Sequence, residues 1–411
     1  MEWVFFPLDE ELGLLPGSLT PKQQENLVHL GSWMPFEQAG FMLERLVGVQ
    51  VSDATVRRLT ERSGACVEAT QTIEQDPSEQ APSGFSGHQK LAFSADGAYV
   101  PLLKGEWAEV RTLAIGEVAP AKKTRETQEV EVTALSYFSR MAPASAFMDL
   151  ASREMQRRAV GEAQAVCAVT DGAEWLQGFI DLHRPDAVRI LDFPHAAEHL
   201  SALLEALQQA GVVLPEKALD RSLHVLKHRG PTWLFRTLAN LPAEFRERDA
   251  VREHLSYLSK REALMQYQHY RRQGWPIGSG MVESANKVVV QARLKGAGMH
   301  WAPAHVNPML ALRTSVCNDR WPQAWSDGEQ RLFSQRALQH KQKALSHLWT
   351  LASALAWVSL RLRPSSPPTP LPTSLRLPAS PPAMIAGTSR PSPHHPWKRA
   401  VVAYPKGSAK N

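Results

Sequence analysis

Apolar residues recur at helical spacing through the early part of the chain. In FEQAGFMLERLVGVQVSDATVRRLTERSG they fall at Phe36, Ala39, Leu43 and Leu46, and Gly48 interrupts the pattern. Ser52 or Asp53 can then cap a new helix on which Val56 and Leu59 resume it. Just ahead, LTPKQQENLVHLGSWM carries its own start signal, Thr20 as cap and Pro21 at the first helical position. Residues 1–65 are therefore predicted as a small helical domain. A helix, a glycine turn and a second helix bearing Arg57, Arg58 and Arg62 make a helix-turn-helix pattern. A plain helical hairpin with a solvated basic face fits the same residues.

Residues 66–90 are polar, with Pro, Ser and Gly, and read as a linker. The pattern then changes. LAFSADGAYVPL, EVRTLAIGEV and EVEVTALSYFS are predicted strands, followed by a helix near 146–160. The apolar run AVCAVTD, a helix from about Ala173 and the run AVRILDF come next. Strands first, then alternating strand and helix, predict a mixed α/β sheet whose later strands are parallel. From Pro194 to about Tyr270 the chain reads as helix.

Composition changes this picture mainly at the C-terminus. The chain has 411 residues, enough for two or three domains. Of its 30 prolines, twelve lie between Pro364 and Pro405, in a tail with seven Lys and Arg and no acid. Setting those seven aside leaves 39 basic residues against 41 acidic, so the basic balance belongs to the tail, 363–411, which is expected to be extended or disordered. Three scattered cysteines, Cys66, Cys167 and Cys317, exclude a disulfide framework or a zinc ribbon and suit a reducing, cytoplasmic setting. The start has no basic region leading into an apolar run, and the longest apolar run, near Leu348 to Leu360, is short of the ~20 residues of a membrane span.

Two apolar runs end in Asp-Gly, at Asp96-Gly97 and Asp171-Gly172. A carboxylate at the end of a buried strand is costly unless it binds something, and strand ends are where open α/β sheets bind ligands. A hairpin turn is the competing account for Asp96; it is weak for Asp171, where a helix follows. The third candidate is Glu283 in GSGMVESANKVVVQARLKGAGMHW, on a helix capped by Ser279, with Lys287, Val290 and Leu294 expected on its side. The bland alternative is a Glu283–Lys287 surface pair. Two Asp and a Glu suit a pair of hard divalent cations that keep open positions for phosphate and water.

Taken in order, SADGAYVPL, VTDGAEW, LDFPHAAEHL, WPIGSGMVESANK and RLKGAGMHW resemble the DDE transposases of bacterial insertion sequences, in the Mutator-like branch and its ISKra group. The resemblance runs from about Phe5 to Trp321, and HHPWKR in the tail shares it. It implies a ribonuclease-H-like α/β core over 91–195 and 278–325, an all-helical insertion over 196–277, and C-terminal helices over 326–362. It implies Asp96, Asp171 and Glu283 as catalytic and metal-binding residues for Mg²⁺ or Mn²⁺. The family's Cys-or-Asp, two residues, then His motif falls on Asp192 and His195, either as accessory groups of the site or as a pair capping the helix that Pro194 starts. Where the family often has Cys, this sequence has Asn286; and the family's upstream CxxC segment has no counterpart, which leaves end recognition open.

The activity so implied is cleavage at element ends, water freeing a 3′-OH that then attacks target DNA. Lys287, Arg293 and Lys295 are expected to neutralise phosphates, and Arg57, Arg58 and Arg62 to hold DNA. The partners are element ends and target DNA, with a homodimer or higher oligomer forming on them, in the cytoplasm at the nucleoid. Two other readings stand beside this one. His195-Ala196-Ala197-Glu198-His199 matches H-x-x-E-H, a zinc metallopeptidase signature with Glu198 as base. The other is a helix-turn-helix DNA-binding protein whose catalytic core has decayed.

Overall fold

A five-stranded mixed sheet organises the computed structural model, which describes residues 19–71, 90–120, 122–123 and 128–361. The proline-rich tail, with its HHPWKR segment, and most of the expected linker lie outside the described residues. The chain divides into two compact units, 1–341 and 342–411, and the sheet belongs to the first.

Three helices come first among the described residues of that unit: α1 (Pro21–Trp33), α2 (Phe36–Val47) and α3 (Asp53–Gln71). Thr20 caps α1 in a reciprocal box with Gln23, and Gly48 ends α2 at φ 71°. Leu19, Leu27, Ala39, Leu43 and Val56 form the small core between them. The predicted boundary at 65 is too early, because α3 runs to Gln71. Its second half looks like linker in composition, yet its small residues pack against a later helix so closely that a Cβ on Gly64 would stand 2.6 Å from the Pro308 carbonyl oxygen. Gln71 Nε2 then donates to the Ala311 carbonyl at 3.2 Å and to Ser315 Oγ at 3.0 Å.

The sheet comes next. β1 (Lys90–Pro101) and β2 (Trp107–Val118) form a long antiparallel hairpin, with the turn at 102–106. A two-stranded ribbon, β3 (Lys122–Lys123) with β4 (Gln128–Glu129), leads to β5 (Val132–Arg140), which is antiparallel to β2. Helix α4 (Ala144–Arg157), β6 (Ala165–Thr170), helix α5 (Glu174–His183) and β7 (Val188–Leu191) complete it. The order is β5-β2-β1-β6-β7, with β1, β6 and β7 mutually parallel.

Alternation along the strands sorts side chains to two faces. Leu91, Phe93 and Ala95 of β1, with Val166 and Ala168 of β6, pack on Phe147 and Met155 of α4 and Phe179 of α5. Ala92, Cys167 and Val169 face the other way, onto a helical layer. That layer begins with α6 (Phe193–Gln209), α7 (Ala218–Arg229) and α8 (Pro231–Ala239). It continues through α9 (Ala243–Arg246), α10 (Asp249–Lys260) and α11 (Tyr267–Arg272). The expected helical segment at 196–277 is present, entered three residues early at Phe193.

The chain then returns to the sheet as α12 (Gly280–Ala285), a π-helical turn (Asn286–Gln291) and a last α-turn (Ala292–Leu294). Helix α13 (Pro303–Cys317) packs with these on Ala98, Val100 and Val110, and α14 (Trp321–Arg361) is one helix where several were expected. No helix among the described residues is long and apolar enough to cross a membrane.

Candidate active site

Register places the first two carboxylates. The parallel ladder of β1 and β6 runs from Lys90↔Ala165 to Phe93↔Ala168. Continuing that register three residues brings Asp96, still in β1, level with Asp171, the first residue past β6, and alternation along the strands points both toward the face of Ala92 and Cys167. Asp96 does not end its strand as its Asp-Gly sequence suggested. β1 continues through it, paired Asp96↔Thr112 and Gly97↔Arg111, so the hairpin-turn account fails and the site lies where the parallel pairing stops.

Glu283 enters from α12, which packs on β1 and β2. Burial raises the Asp96 carboxyl above its ordinary range, and the charges of Asp171 and Glu283 push the same way. The Gly97 N–H and His195 oppose the shift. Two carboxylates 75 and 187 positions further along the chain thus act on Asp96. Asp96 and Asp171 are half-buried and Glu283 is exposed. No three His, Cys, Asp or Glu side chains among the described residues are drawn into a ready-made metal cage. The donor set of hard oxygens nevertheless fits Mg²⁺ or Mn²⁺ chemically, and the fit is supported by a buried amide oxygen beside it, Asn286 Oδ1, that has no hydrogen-bond partner.

The loop after β6 is built for close approach. Gly172 takes φ 78°, and a Cβ there would stand 2.3 Å from Arg261 Nε. The Ala173 N–H donates to Asp171 Oδ1 at 2.9 Å. From α10, the Tyr257 hydroxyl donates to the Asp171 carbonyl at 2.5 Å. Arg261, just beyond α10, donates to the Gly172 carbonyl through Nη2 at 2.8 Å. The helical layer therefore grips the backbone that presents Asp171. Sequence reading missed Tyr257 and Arg261, because bonds spanning 86 and 89 positions leave no trace in local periodicity.

Asp192 is fully buried and joins both ends of the inserted helices. Its Oδ2 accepts from the His195 N–H at 3.1 Å, capping α6, and from His195 Nδ1 at 2.7 Å. Its Oδ1 accepts from the Ser279 N–H at 2.6 Å, one residue ahead of α12. The hydrogen bond that His195 donates to Asp192 raises the imidazole to about 9; burial opposes it, and the charges of Asp192, Asp171 and Glu198 add to it. His195 is thus an imidazolium at neutral pH beside the carboxylates. The capping account holds for this pair: Asp192 starts α6 and bonds both the backbone and the ring of His195. Of the H-x-x-E-H signature, His195 is tied to Asp192, while His199 stacks on Tyr257 at 3.5 Å and meets His254 Nδ1 at 3.1 Å.

The cations fall into three groups. Arg57, Arg58 and Arg62 are exposed on α3 and line an open cleft with His305 of α13. Lys287 and Lys295 are exposed on the Glu283 segment, the latter with Nζ 5.5 Å from the Trp107 ring. Arg293, expected among the phosphate contacts, is instead buried. Its Nε donates to the Gly31 carbonyl at 2.9 Å, and its guanidinium lies over Phe36 at 4.7 Å and Trp301 at 5.1 Å.

The physical reason is the π turn. Buried positions on this segment recur every four residues: 281, 285, 289 and 293, and again 282, 286, 290 and 294. An α-helix advances ~100° per residue, so four residues overshoot a full turn by ~40° and three such steps rotate a stripe by ~120°. The wider i→i+5 turn absorbs that drift. Glu283 and Lys287 accordingly share the exposed side, whereas Val290 and Leu294, expected beside them, are buried. No protein-family model matches the chain, and no curated protein matches it in sequence.

Proposed function

We propose that this chain is a DDE-type DNA transposase of a bacterial insertion sequence, built on a ribonuclease-H-like core with an all-helical insertion. The observation that carries the reading is that Asp96 in β1, Asp171 just past the end of the adjacent parallel β6 and Glu283 on α12 stand close enough for the charges of the last two to act on the first, in a sheet of order β5-β2-β1-β6-β7. In this reading the three carboxylates hold divalent cations, Mg²⁺ or Mn²⁺. Such cations, when bound, neutralise charge on the attacking and leaving oxygens of an in-line phosphoryl displacement.

The chain's own groups do the rest. Tyr257 holds the Asp171 carbonyl and Arg261 the next one, of Gly172, so the inserted helices position one carboxylate, while Asp192 fastens the start of α12 and with it Glu283. His195, protonated on both ring nitrogens, offsets part of the carboxylates' charge from the protein side. Lys287 and Lys295 face solvent beside Glu283, where the scissile phosphate would lie, and the α3 arginines hold flanking DNA through phosphates. The partners proposed are element ends and target DNA, with assembly of a homodimer or higher oligomer on them, at the nucleoid of a bacterial cytoplasm.

The test uses a plasmid carrying the DNA that flanks the reading frame. Asp96→Ala, Asp171→Ala and Glu283→Gln should each abolish Mg²⁺-dependent cleavage while leaving DNA affinity, read by fluorescence anisotropy, within about threefold of the parent, because basic groups supply most of that affinity. Cleavage that survives in the Asp96 and Asp171 variants would overturn the reading.

A further inference from the structure

The helix that presents Glu283 carries, one turn later, a residue of unusual placement. Asn286 is 3% exposed and opens the π turn. Its Nδ2 donates to Asp96 Oδ2 at 3.1 Å, and its Oδ1 is buried with no hydrogen-bond partner. The orientation follows from chemistry, since an ionised carboxylate only accepts and the amide nitrogen must face it. Its neighbours on the buried side of the helix, Val282, Ala285, Val289 and Val290, are apolar and fully buried, so the segment itself offers no donor to the spare oxygen.

A buried amide oxygen left unpaired costs ~1–3 kcal/mol, and an apolar side chain of the same size would avoid that cost. The oxygen belongs to the amide that bonds Asp96, the carboxylate on which the charges of Asp171 and Glu283 act, and Mg²⁺ characteristically keeps several of its waters when bound. Those waters are donors.

We propose that Asn286 is a positioning residue of the metal site: its Nδ2–H sets the rotamer of the Asp96 carboxylate, and its Oδ1 accepts a hydrogen bond from a water ligand of the bound cation. The inference rests on the reading that Asp96, Asp171 and Glu283 hold divalent cations. Asn286 touches no reacting atom. It acts through Asp96 and through that water, and the π turn sustains its inward orientation.

The test is Mn²⁺ binding to the full chain by titration calorimetry, after chelator treatment, with metal-free thermal melts alongside. Loss of outer partners of metal ligands typically weakens affinity ~10–100-fold, so Asn286→Ala and Asn286→Leu should bind Mn²⁺ at least about tenfold more weakly than the parent. Asn286→Leu removes the unpaired oxygen but also the donor to Asp96, two changes of opposite sign, so its metal-free melt should stay close to the parent's. Asn286→Ser, with a hydroxyl that both donates and accepts, should recover part of the affinity that Asn286→Ala loses. Unchanged Mn²⁺ affinity in the alanine and leucine variants overturns the inference alone, whatever their melting temperatures. A parent that binds no Mn²⁺, or binds it equally well as Asp96→Asn, overturns the functional reading and this inference with it.

Discussion

Replacing Asp192 with alanine removes one fully buried carboxylate that accepts three hydrogen bonds at once. The loss can be worked from those partners. The α6 cap through the His195 N–H is worth ~1 kcal/mol. The buried Ser279 N–H, left without a partner, costs ~1–3 kcal/mol. The bond to the His195 ring is charge-assisted, but that ring is about a third exposed, so solvent screening brings it down to ~1 kcal/mol. Together these give ~3–5 kcal/mol, held at the joint where the inserted helices leave and rejoin the sheet. A chain of this size with two compact units is a poor subject for a single unfolding free energy, so the assay is local: amide hydrogen exchange by mass spectrometry. At ~1.4 kcal/mol per tenfold, Asp192→Ala should speed exchange at least about a hundredfold in peptides covering 193–200 and 276–283. Helix α4, across the sheet, should keep the parent rate. The pH dependence has a fixed sign. His195 is raised to about 9 by its partner, so its contribution is complete below ~6.5, the ordinary imidazole value, and is lost as pH rises through about 9. The gap between parent and variant should therefore narrow over that window. Acceleration below about threefold at both segments, or a gap that widens with pH, would refute the reasoning.

Two further outcomes rest on the same contacts. Gly172→Ala forces an L side chain into φ 78° and against Arg261; it should cost ~1–3 kcal/mol, read as faster exchange across 170–176, whereas Gly48→Ala, with open space around it, should cost less. Arg293→Ala should destabilise the joint of α1 with the Glu283 segment by ~2–4 kcal/mol by leaving the Gly31 carbonyl unpaired and a void behind, and should leave the salt dependence of DNA binding unchanged, whereas Arg58→Ala should make that dependence shallower by about one charge.

The strands were legible because each was written locally. The unbroken apolar run AVCAVTD matched a strand buried on both faces, as did the apolar centre of EVRTLAIGEV, and the adjacency of the strands that lead to Asp96 and Asp171 needed only the expectation that both runs share a sheet. Helix starts were equally readable at Thr20, where the cap lies within three residues of its partner. Ends were less so. Residues 66–71 are polar enough to pass for linker, and the contacts that anchor them, from Gln71 to Ala311 and Ser315, lie some 240 positions away.

The site divides along the same line. Residue types and order brought out the three carboxylates and the Asp192–His195 pair, but the groups that hold them in place come from elsewhere in the chain. Tyr257 and Arg261 grip carbonyls rather than side chains, and a carbonyl has no sequence signature. Arg293 was misjudged, and Asn286 passed over, because a constant 3.6-residue period carried past residue 285 rotates every later side chain progressively away from its true direction. The four-residue stripe of apolar residues, Met281, Ala285 and Val289 alongside Val282 and Val290, was present in the sequence all along. A stripe that keeps to four residues over three turns cannot stay on one face of an α-helix, and where a sheet nonetheless buries it, the helix must widen. The widening falls at Asn286, one turn after Glu283, so the turn that breaks the local rule is also the turn that faces Asp96.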